Sequence, residues 1–102
     1  MNRLSSVQRQ AMDYSRRLGQ RVRVIRSVAG LTRKELADRS HVSERYLASL
    51  ELGHANPSLE ILFRLATALD MPIERLICVH ATNQVRVCPV VSGEHRLHAA
   101  AG

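Results

Sequence analysis

The side chains in this sequence that are best suited to bind a ligand are arginines. Fourteen of the fifteen basic residues are arginine, against nine acidic residues, and the net charge is +6. A planar guanidinium group is better shaped than an ammonium group to hold a phosphate or a guanine through two parallel hydrogen bonds. Nine basic residues and a single acidic one fall within residues 1–34. The composition therefore favours a polyanionic partner, either a nucleic acid or an anionic membrane.

A membrane partner is the weaker of the two alternatives. Residues 1–6 lack the apolar run of a signal peptide, and no segment approaches the roughly 20 apolar residues of a spanning helix. We therefore expect a cytoplasmic protein with no membrane partner. In a reducing compartment Cys78 and Cys88 are expected to be thiols rather than a disulfide.

Metal-binding and catalytic residues form no recognisable site. Five candidate soft or borderline ligands occur towards the end of the chain: Cys78, His80, Cys88, His95 and His98. They leave a zinc-binding or redox-sensing tail open as an alternative, although no Cys-x-x-Cys pair is present. No nucleophile is accompanied by a histidine and an acid in a catalytic pattern. We predict no metal, no cofactor and no enzymatic activity.

Helices must position the arginines, and the first is marked by an apolar stripe at three- and four-residue steps. The stripe consists of Val7, Ala11, Ser15, Leu18, Val22, Ile25 and Ala29. Gly30 is the natural stop, and Gly19 costs about 1 kcal/mol inside a helix relative to alanine. We therefore start the core helix at Leu18 and treat residues 1–17 as a basic extension, either helical or frayed.

Two short helices follow, separated by a tight turn. Thr32 and Glu35 fit a capping box, which predicts a helix from Arg33 to about Arg39. Ser43 is a second N-cap, which predicts a third helix over residues 44–52, with Gly53 at its C-terminal end. This arrangement is typical of a helix-turn-helix.

Two more helices complete the predicted domain, which spans residues 18–78. Ser58 caps the fourth, whose inward-facing residues are predicted to be Leu59, Leu62, Phe63, Ala66 and Leu69. The fifth follows Pro72 and carries Ile73, Leu76 and Ile77. Residues 79–102 form a tail, in which Val85–Val91 is either an edge strand or part of a disordered segment. The predicted fold class is therefore all-α. Its core is expected to consist of Leu, Ile, Val and Ala, because the chain has only three aromatic residues.

Over residues 18–77 the sequence resembles the Cro/phage-repressor type of helix-turn-helix domains, also called the XRE or Cro/C1 type. The matching residues are Leu18, Gly19, Arg21, Val22, Arg23, Ile25, Arg26, Gly30, Leu31, Thr32, Arg33, Glu35, Leu36, Ala37, Val42, Ser43, Tyr46, Leu47, Leu50, Glu51, Gly53, Asn56, Pro57, Ser58, Leu59, Leu62, Leu65, Ala66, Ala68 and Leu69. The resemblance implies a compact five-helix domain like that of lambda repressor. Its third helix would enter the major groove of double-stranded DNA, as a homodimer on a palindromic operator.

The resemblance also assigns individual roles. It places base contacts at Glu44, Arg45 and Ser49. DNA-backbone contacts fall at Thr32, Arg33, Lys34, Ser43, Tyr46, His54 and Asn56, and Asn56 has the alternative of closing its own turn. Arg26 and Glu51 match an ion pair that ties the first helix to the end of the third. In this family glycine usually stands at the position of His41, so His41 is expected to adopt the left-handed conformation.

Within this family, the runs Leu31–Lys34 and Val42–Ala48 resemble the DNA-binding half of regulators of aromatic-acid catabolism that carry a shikimate-kinase-like effector domain. No Gly-rich phosphate loop is present, so no small-molecule effector is predicted. The function that we favour is a transcriptional regulator, more specifically a repressor, whose dimer contacts involve Pro72–Ile77 with the N-terminal segment or Val85–Val91. The alternatives are a DNA-binding antitoxin or restriction-modification controller, and a protein-interaction module that does not bind DNA.

Overall fold

Four of the five helices begin and end close to the residues that the sequence predicts, and the first begins earlier than the predicted core helix. The computed structural model describes residues 3–79. The helices are α1 (Arg3–Val28), α2 (Arg33–Ser40), α3 (Glu44–Glu51), α4 (Leu59–Ala68) and α5 (Ile73–Leu76), and no strand occurs within residues 3–79. The all-α prediction is therefore confirmed. The predicted strand at Val85–Val91 lies outside the described residues.

Side-chain caps explain why three of these helices start where they do. The hydroxyl groups of Thr32, Ser43 and Ser58 each accept a hydrogen bond from the backbone amide three residues later, at 3.1, 3.0 and 3.2 Å. Each cap satisfies an amide that has no partner within its own helix. These local bonds fix the starts of α2, α3 and α4 before any tertiary contact is considered.

The extension predicted at residues 1–17 does not form a separate element from Arg3 onwards. α1 is a single helix of 26 residues that runs through Gly19 without a break. A Cβ atom added at Gly19 would lie 2.2 Å from the carbonyl oxygen of Leu50 and 3.0 Å from that of Glu51. The glycine therefore does not end a helix. It lets the end of α3 pack directly on the backbone of α1.

The core is aliphatic, as predicted. Its buried residues are Leu18, Val22, Leu36, Ala37, Val42, Leu47, Leu50, Leu65, Ala66, Leu69 and Leu76. The prediction for α4 is wrong at two positions, because Leu59 is 63% and Phe63 is 51% exposed. α4 packs against α2 and α5 through the side that carries Leu65 and Ala66, which leaves Leu59 and Phe63 facing outwards.

Polar contacts hold α5 against α1. The Tyr14 hydroxyl donates to the carbonyl oxygen of Ile77. Arg21 donates to the carbonyl oxygen of Arg75 through Nε at 2.9 Å and Nη2 at 2.6 Å. A cation at carbonyl groups near the end of α5 also interacts favourably with the helix dipole. Burial raises the pKa of Tyr14, with a smaller contribution from Cys78.

The turn between α2 and α3 accommodates a left-handed histidine, His41, and a buried serine, Ser40. His41 adopts the left-handed conformation, with φ 59° and ψ 33°, as expected. Ser40 is buried, and its hydroxyl donates to the carbonyl oxygen of Leu36 at 2.7 Å. The bond back to its own helix explains how a polar residue occupies an apolar position without an unsatisfied group.

Replacing His41 with glycine is expected to raise the free energy of unfolding by about 0.5 to 1 kcal/mol. The left-handed conformation costs an L residue about 1 to 2 kcal/mol, part of which is offset by the greater ordering entropy of glycine. Chemical denaturation followed by circular dichroism measures the change. The matched control is Arg39→Gly, an exposed position within α2, which should lower stability by about 1 kcal/mol. Equal losses from both substitutions would contradict the prediction.

Within residues 3–79, every helix is too short or too polar to cross a lipid bilayer.

Candidate nucleic-acid interface

The start of α2 presents two cations beside a closed capping box. The Thr32 hydroxyl accepts from the Glu35 amide, and a Glu35 carboxylate oxygen accepts from the Thr32 amide at 2.8 Å. The bond from the Thr32 amide is the main reason why the pKa of Glu35 lies below its usual value. The next two side chains, Arg33 and Lys34, are exposed. The N-terminal turn of α2 is therefore rigid while its cations remain accessible.

The first turn of α3 lies next to these cations. An open cleft of about 450 Å³ is lined by Arg26, Ser27, Gly30, Leu31, Thr32, Arg33, Lys34 and Glu44. The cleft brings Glu44, a predicted base-contacting residue, to the same surface as three of the predicted backbone-contacting residues. A second groove, between α2 and α3, is also lined by Lys34 and Glu44. A ligand lying along this surface would meet both helix N-termini.

The buried and the exposed residues of α3 lie on different faces of the helix. Leu47 and Leu50 are buried, whereas Glu44 and Arg45 are exposed on the first turn. Ser49, four residues after Arg45, lies on the same side of the helix but is partly buried. Tyr46 is also partly buried and packs against the hydrophobic core. Of the three predicted base-contacting residues, Glu44 and Arg45 are thus the most accessible.

The ion pair predicted between Arg26 and Glu51 is present and nearly buried. Nε and Nη2 of Arg26 donate to the two carboxylate oxygens of Glu51 at 2.7 and 3.0 Å. The side chains are only 14% and 6% exposed. Nη1 of Arg26 donates to the carbonyl oxygen of Leu31 at 2.9 Å, so one guanidinium joins α1, α3 and the loop before α2. The hydrogen bond to Glu51 is the largest cause of the raised pKa of Arg26.

Glu51 also reaches a second arginine, which the sequence did not indicate. Arg33 Nε lies 3.6 Å from Glu51 Oε1, and its side chain is 45% exposed. The two residues are eighteen positions apart and on different helices, so no local spacing predicts this contact. The carboxylate at the end of α3 therefore fixes one arginine firmly and orients a second, more accessible one.

Arg64 is a residue of this region that the sequence did not indicate. Its Nη1 donates to the carbonyl oxygen of His41 at 3.3 Å, and its Nη2 donates to Glu60 at 2.6 Å. In the sequence, only the i,i+4 spacing of Glu60 and Arg64 indicated the contact between these two side chains. Arg64 thereby places a positive charge from α4 beside the turn between α2 and α3.

The remaining predicted backbone-contacting residues, His54 and Asn56, are exposed in the loop between α3 and α4. The His54 amide donates to the carbonyl oxygen of Ser49 at 3.0 Å, which holds the start of this loop against α3.

No metal site is formed by the part of the chain that the structure describes. Residues 3–79 contain no group of three or more His, Cys, Asp or Glu side chains placed to hold an ion. Of the candidate ligands in the tail, His80, Cys88, His95 and His98 lie outside the described residues.

Two capped helices joined by a tight turn, with the exposed face of the second beside the N-terminus of the first, define a helix-turn-helix domain. Residues 29–76 match a family model described as "Helix-turn-helix". An uncharacterised HTH-type transcriptional regulator, y4dJ of Sinorhizobium fredii, is 38% identical over 66 residues, which are 65% of this chain and 86% of that protein. The chain belongs to the helix-turn-helix family of transcriptional regulators.

Other similar proteins have more specific descriptions. The immunity repressor protein of Bacillus phage phi105 is 37% identical over 60 residues, which cover 59% of this chain but only 42% of that protein. The crystal structure of the restriction-modification controller protein C.AhdI from Aeromonas hydrophila superposes with a TM-score of 0.60 at 37% identity. That match covers 61% of this chain and 94% of the controller protein.

Proposed function

We propose that this protein binds double-stranded DNA sequence-specifically in the cytoplasm and represses transcription. One observation carries the proposal: the cleft that joins the cations at the start of α2 to the exposed first turn of α3. Exposed amides and the helix dipole favour a phosphate at the start of α2, and an α-helix such as α3 fits the width of the major groove. The phage immunity repressor among its relatives supports the choice of repression.

Base reading is assigned to α3. Arg45 is exposed and can donate two hydrogen bonds to O6 and N7 of guanine. Glu44 can accept one from N4 of cytosine. Ser49 shares the face of Arg45 and contacts a neighbouring base edge in this arrangement.

Contacts to the DNA backbone are assigned to residues at the rim of this surface. Arg33 and Lys34 neutralise phosphates, and the contact of Glu51 with Arg33 holds that guanidinium near the cleft. The other proposed backbone contacts come from Thr32, Ser43, Tyr46, His54 and Asn56. Contacts of this kind set the register of the protein on the duplex without reading its sequence.

The protein is further proposed to act as a homodimer on a palindromic site, with contacts around Pro72–Ile77. Ile73 and Ile77 are only partly buried, and Phe63 on the neighbouring α4 is half exposed. Light scattering at micromolar concentration tests the homodimer. A mass of one chain without DNA, and of one chain per duplex with operator DNA, would refute it.

Selection from a random duplex pool tests the proposal, with anisotropy titrations of wild type, Arg45→Ala and Arg33→Ala. We expect the selected DNA sequence to be palindromic. Arg45→Ala should relax the preference at one base pair per half-site by about 1 to 3 kcal/mol, about 5- to 150-fold. Arg33→Ala should weaken binding to all sequences alike. It should also reduce the slope of log K against log salt concentration by about 1, the value for one phosphate contact.

Arg9→Ala is the matched control. Arg9 is an exposed arginine of α1, and it lies 17 positions before Arg26, which corresponds to about 25 Å along the helix. Its removal lowers the net charge equally but should leave the selected sequence unchanged. Absence of any enriched sequence and of salt-dependent binding would refute the proposal and favour a protein-interaction module.

A restriction-modification controller is the second candidate, because the match to C.AhdI covers nearly all of that chain. A selected operator that recurs upstream of an adjacent restriction-modification gene pair would favour this candidate. Recurrence upstream of other genes would favour a regulator of a different system.

A further inference from the structure

The N-terminal half of α1 carries an apolar face that nothing in the described structure covers. Residues 3–12 are all exposed, and Leu4 and Val7 are 72% and 55% exposed. With Ala11 they form what we call the arm stripe. Their spacing continues through Tyr14 to Leu18, so the arm stripe lies on the same side of α1 as the buried core residues.

The exposed half of α1 extends beyond the packed half of the same helix. In proteins most helical stability comes from tertiary packing of an amphipathic face rather than from intrinsic propensity. Residues 3–12 have such a face, at core-like spacing, but no described residue packs on it. The arm stripe is therefore suited to an apolar occupant.

The path of the chain after α5 indicates which occupant is nearest. Tyr14 donates to the carbonyl oxygen of Ile77, and Arg21 holds the carbonyl oxygen of Arg75. The described chain ends two residues after Ile77, at Val79. The described chain therefore ends two residues after the carbonyl group that Tyr14 contacts, near the inner end of the arm stripe.

The sequence that follows has suitable length and composition. Four valines occur at positions 85, 87, 90 and 91, and residues 87–93 carry no charge. The distance from Leu4 to Tyr14 is about 15 Å along the helix. Seven residues, such as 85–91, reach about 23 Å when extended. Five residues, 80–84, remain to connect Val79 to the stripe.

Proximity favours the same chain over a second copy as the occupant. The described chain ends near the inner end of the arm stripe, so residues of the same chain can reach the stripe without an association step. Residues 85–91 carry a single charge, at Arg86.

We propose that residues 85–91 pack on the arm stripe of the same chain, so that the N-terminal half of α1 and the C-terminal segment form a second small apolar cluster. This cluster lies away from the proposed DNA-binding surface. Val7 is 19 residues before Arg26, about 28 Å along the helix from the cleft.

Disulfide trapping in the full chain tests the proposal, because Cys88 lies within the proposed segment. Cys78 is first replaced by serine. Val7→Cys and Ala11→Cys then place a thiol on the arm stripe, and Arg9→Cys is the matched control. Arg9 is two residues from each, which is about 200° around the helix and on the opposite side.

In a glutathione redox buffer, we expect an intramolecular disulfide with Cys88 to form at least tenfold faster at position 7 or 11 than at position 9. A disulfide between two chains would overturn the proposal in favour of a second copy. Equal rates at all three positions would overturn it as well. Circular dichroism before oxidation verifies that each variant is folded, which the exposure of all three sites favours.

Hydrogen exchange on the chain without engineered cysteines provides a second, independent test. Amides within residues 7–12 should exchange at least tenfold more slowly in wild type than in the full-length variant Val90→Asp/Val91→Asp, because the first four amides of the helix have no acceptor within it. Identical exchange in the two proteins would refute the packing of residues 85–91 on the arm stripe.

Discussion

Replacing Gly19 with alanine is expected to lower the free energy of unfolding by about 3 kcal/mol. The new Cβ atom would lie 2.2 Å from the carbonyl oxygen of Leu50. A backbone carbonyl at a helix end cannot rotate aside as a side chain would, so α1 and α3 must move apart. That movement opens contacts around Leu18 and Leu50, both of which are in the core. Urea denaturation followed by circular dichroism measures the loss.

The control for this substitution is Gln20→Ala, at the next residue of the same helix. Gln20 is exposed, and its change to alanine should alter stability by less than about 0.5 kcal/mol. Helix propensity alone predicts the opposite result for Gly19, because alanine in a helix interior is about 1 kcal/mol better than glycine. A stabilised Gly19→Ala variant would therefore show that α1 and α3 do not approach as closely as the structure indicates.

Gly19 also shows where sequence reasoning stops. Its cost in a helix was visible locally and suggested a boundary, but the reason for a glycine lies in Leu50 and Glu51, about thirty residues later. A contact between distant segments leaves no periodic signal in either of them. The continuous α1 was therefore not distinguishable from a shorter helix with a frayed extension.

Features set by a few neighbouring residues were predicted correctly. Thr32, Ser43 and Ser58 each cap the helix that follows, because a cap depends on bonds within one turn. The left-handed conformation of His41 was expected from the resemblance, in which glycine usually stands at that position. The outward orientation of Phe63 was not predicted. An apolar residue on a short amphipathic helix fits two neighbouring faces, and only the packing of α4 on α2 selects between them.

The candidate interface depends both on signals in the sequence and on contacts between segments that are distant in the sequence. The charge of the first third of the chain indicated a polyanion, and the resemblance assigned roles to individual residues on α2 and α3. The structure adds the accessibility of Glu44 and Arg45 and the link between Glu51 and Arg33. The link requires the end of α3 to meet the start of α2 in space, which neither charge nor spacing specifies.

Replacing Glu51 with glutamine is expected to lower the free energy of unfolding by about 3 kcal/mol. Glutamine keeps the shape of the side chain but removes the negative charge that two arginines face. Arg26, which is only 14% exposed, would then remain as a nearly buried cation without a counter-ion. The exposed pair Glu60 and Arg64 is the control, because its side chains are 70% and 45% exposed. Glu60→Gln should cost less than about 1 kcal/mol.

A double-mutant cycle separates this charge effect from a simple loss of packing. Arg26→Met alone leaves the buried carboxylate of Glu51 with only the more distant Arg33, and should be destabilising for the same reason. Combined with Glu51→Gln it removes both buried charges, so the double variant should be more stable than the sum of the single losses predicts. We expect a coupling of about 1 to 3 kcal/mol from urea denaturation. Additive losses would mean that Arg26 and Glu51 contribute to stability independently. The packing of α1 on the end of α3 would then depend on Gly19 and the aliphatic core alone.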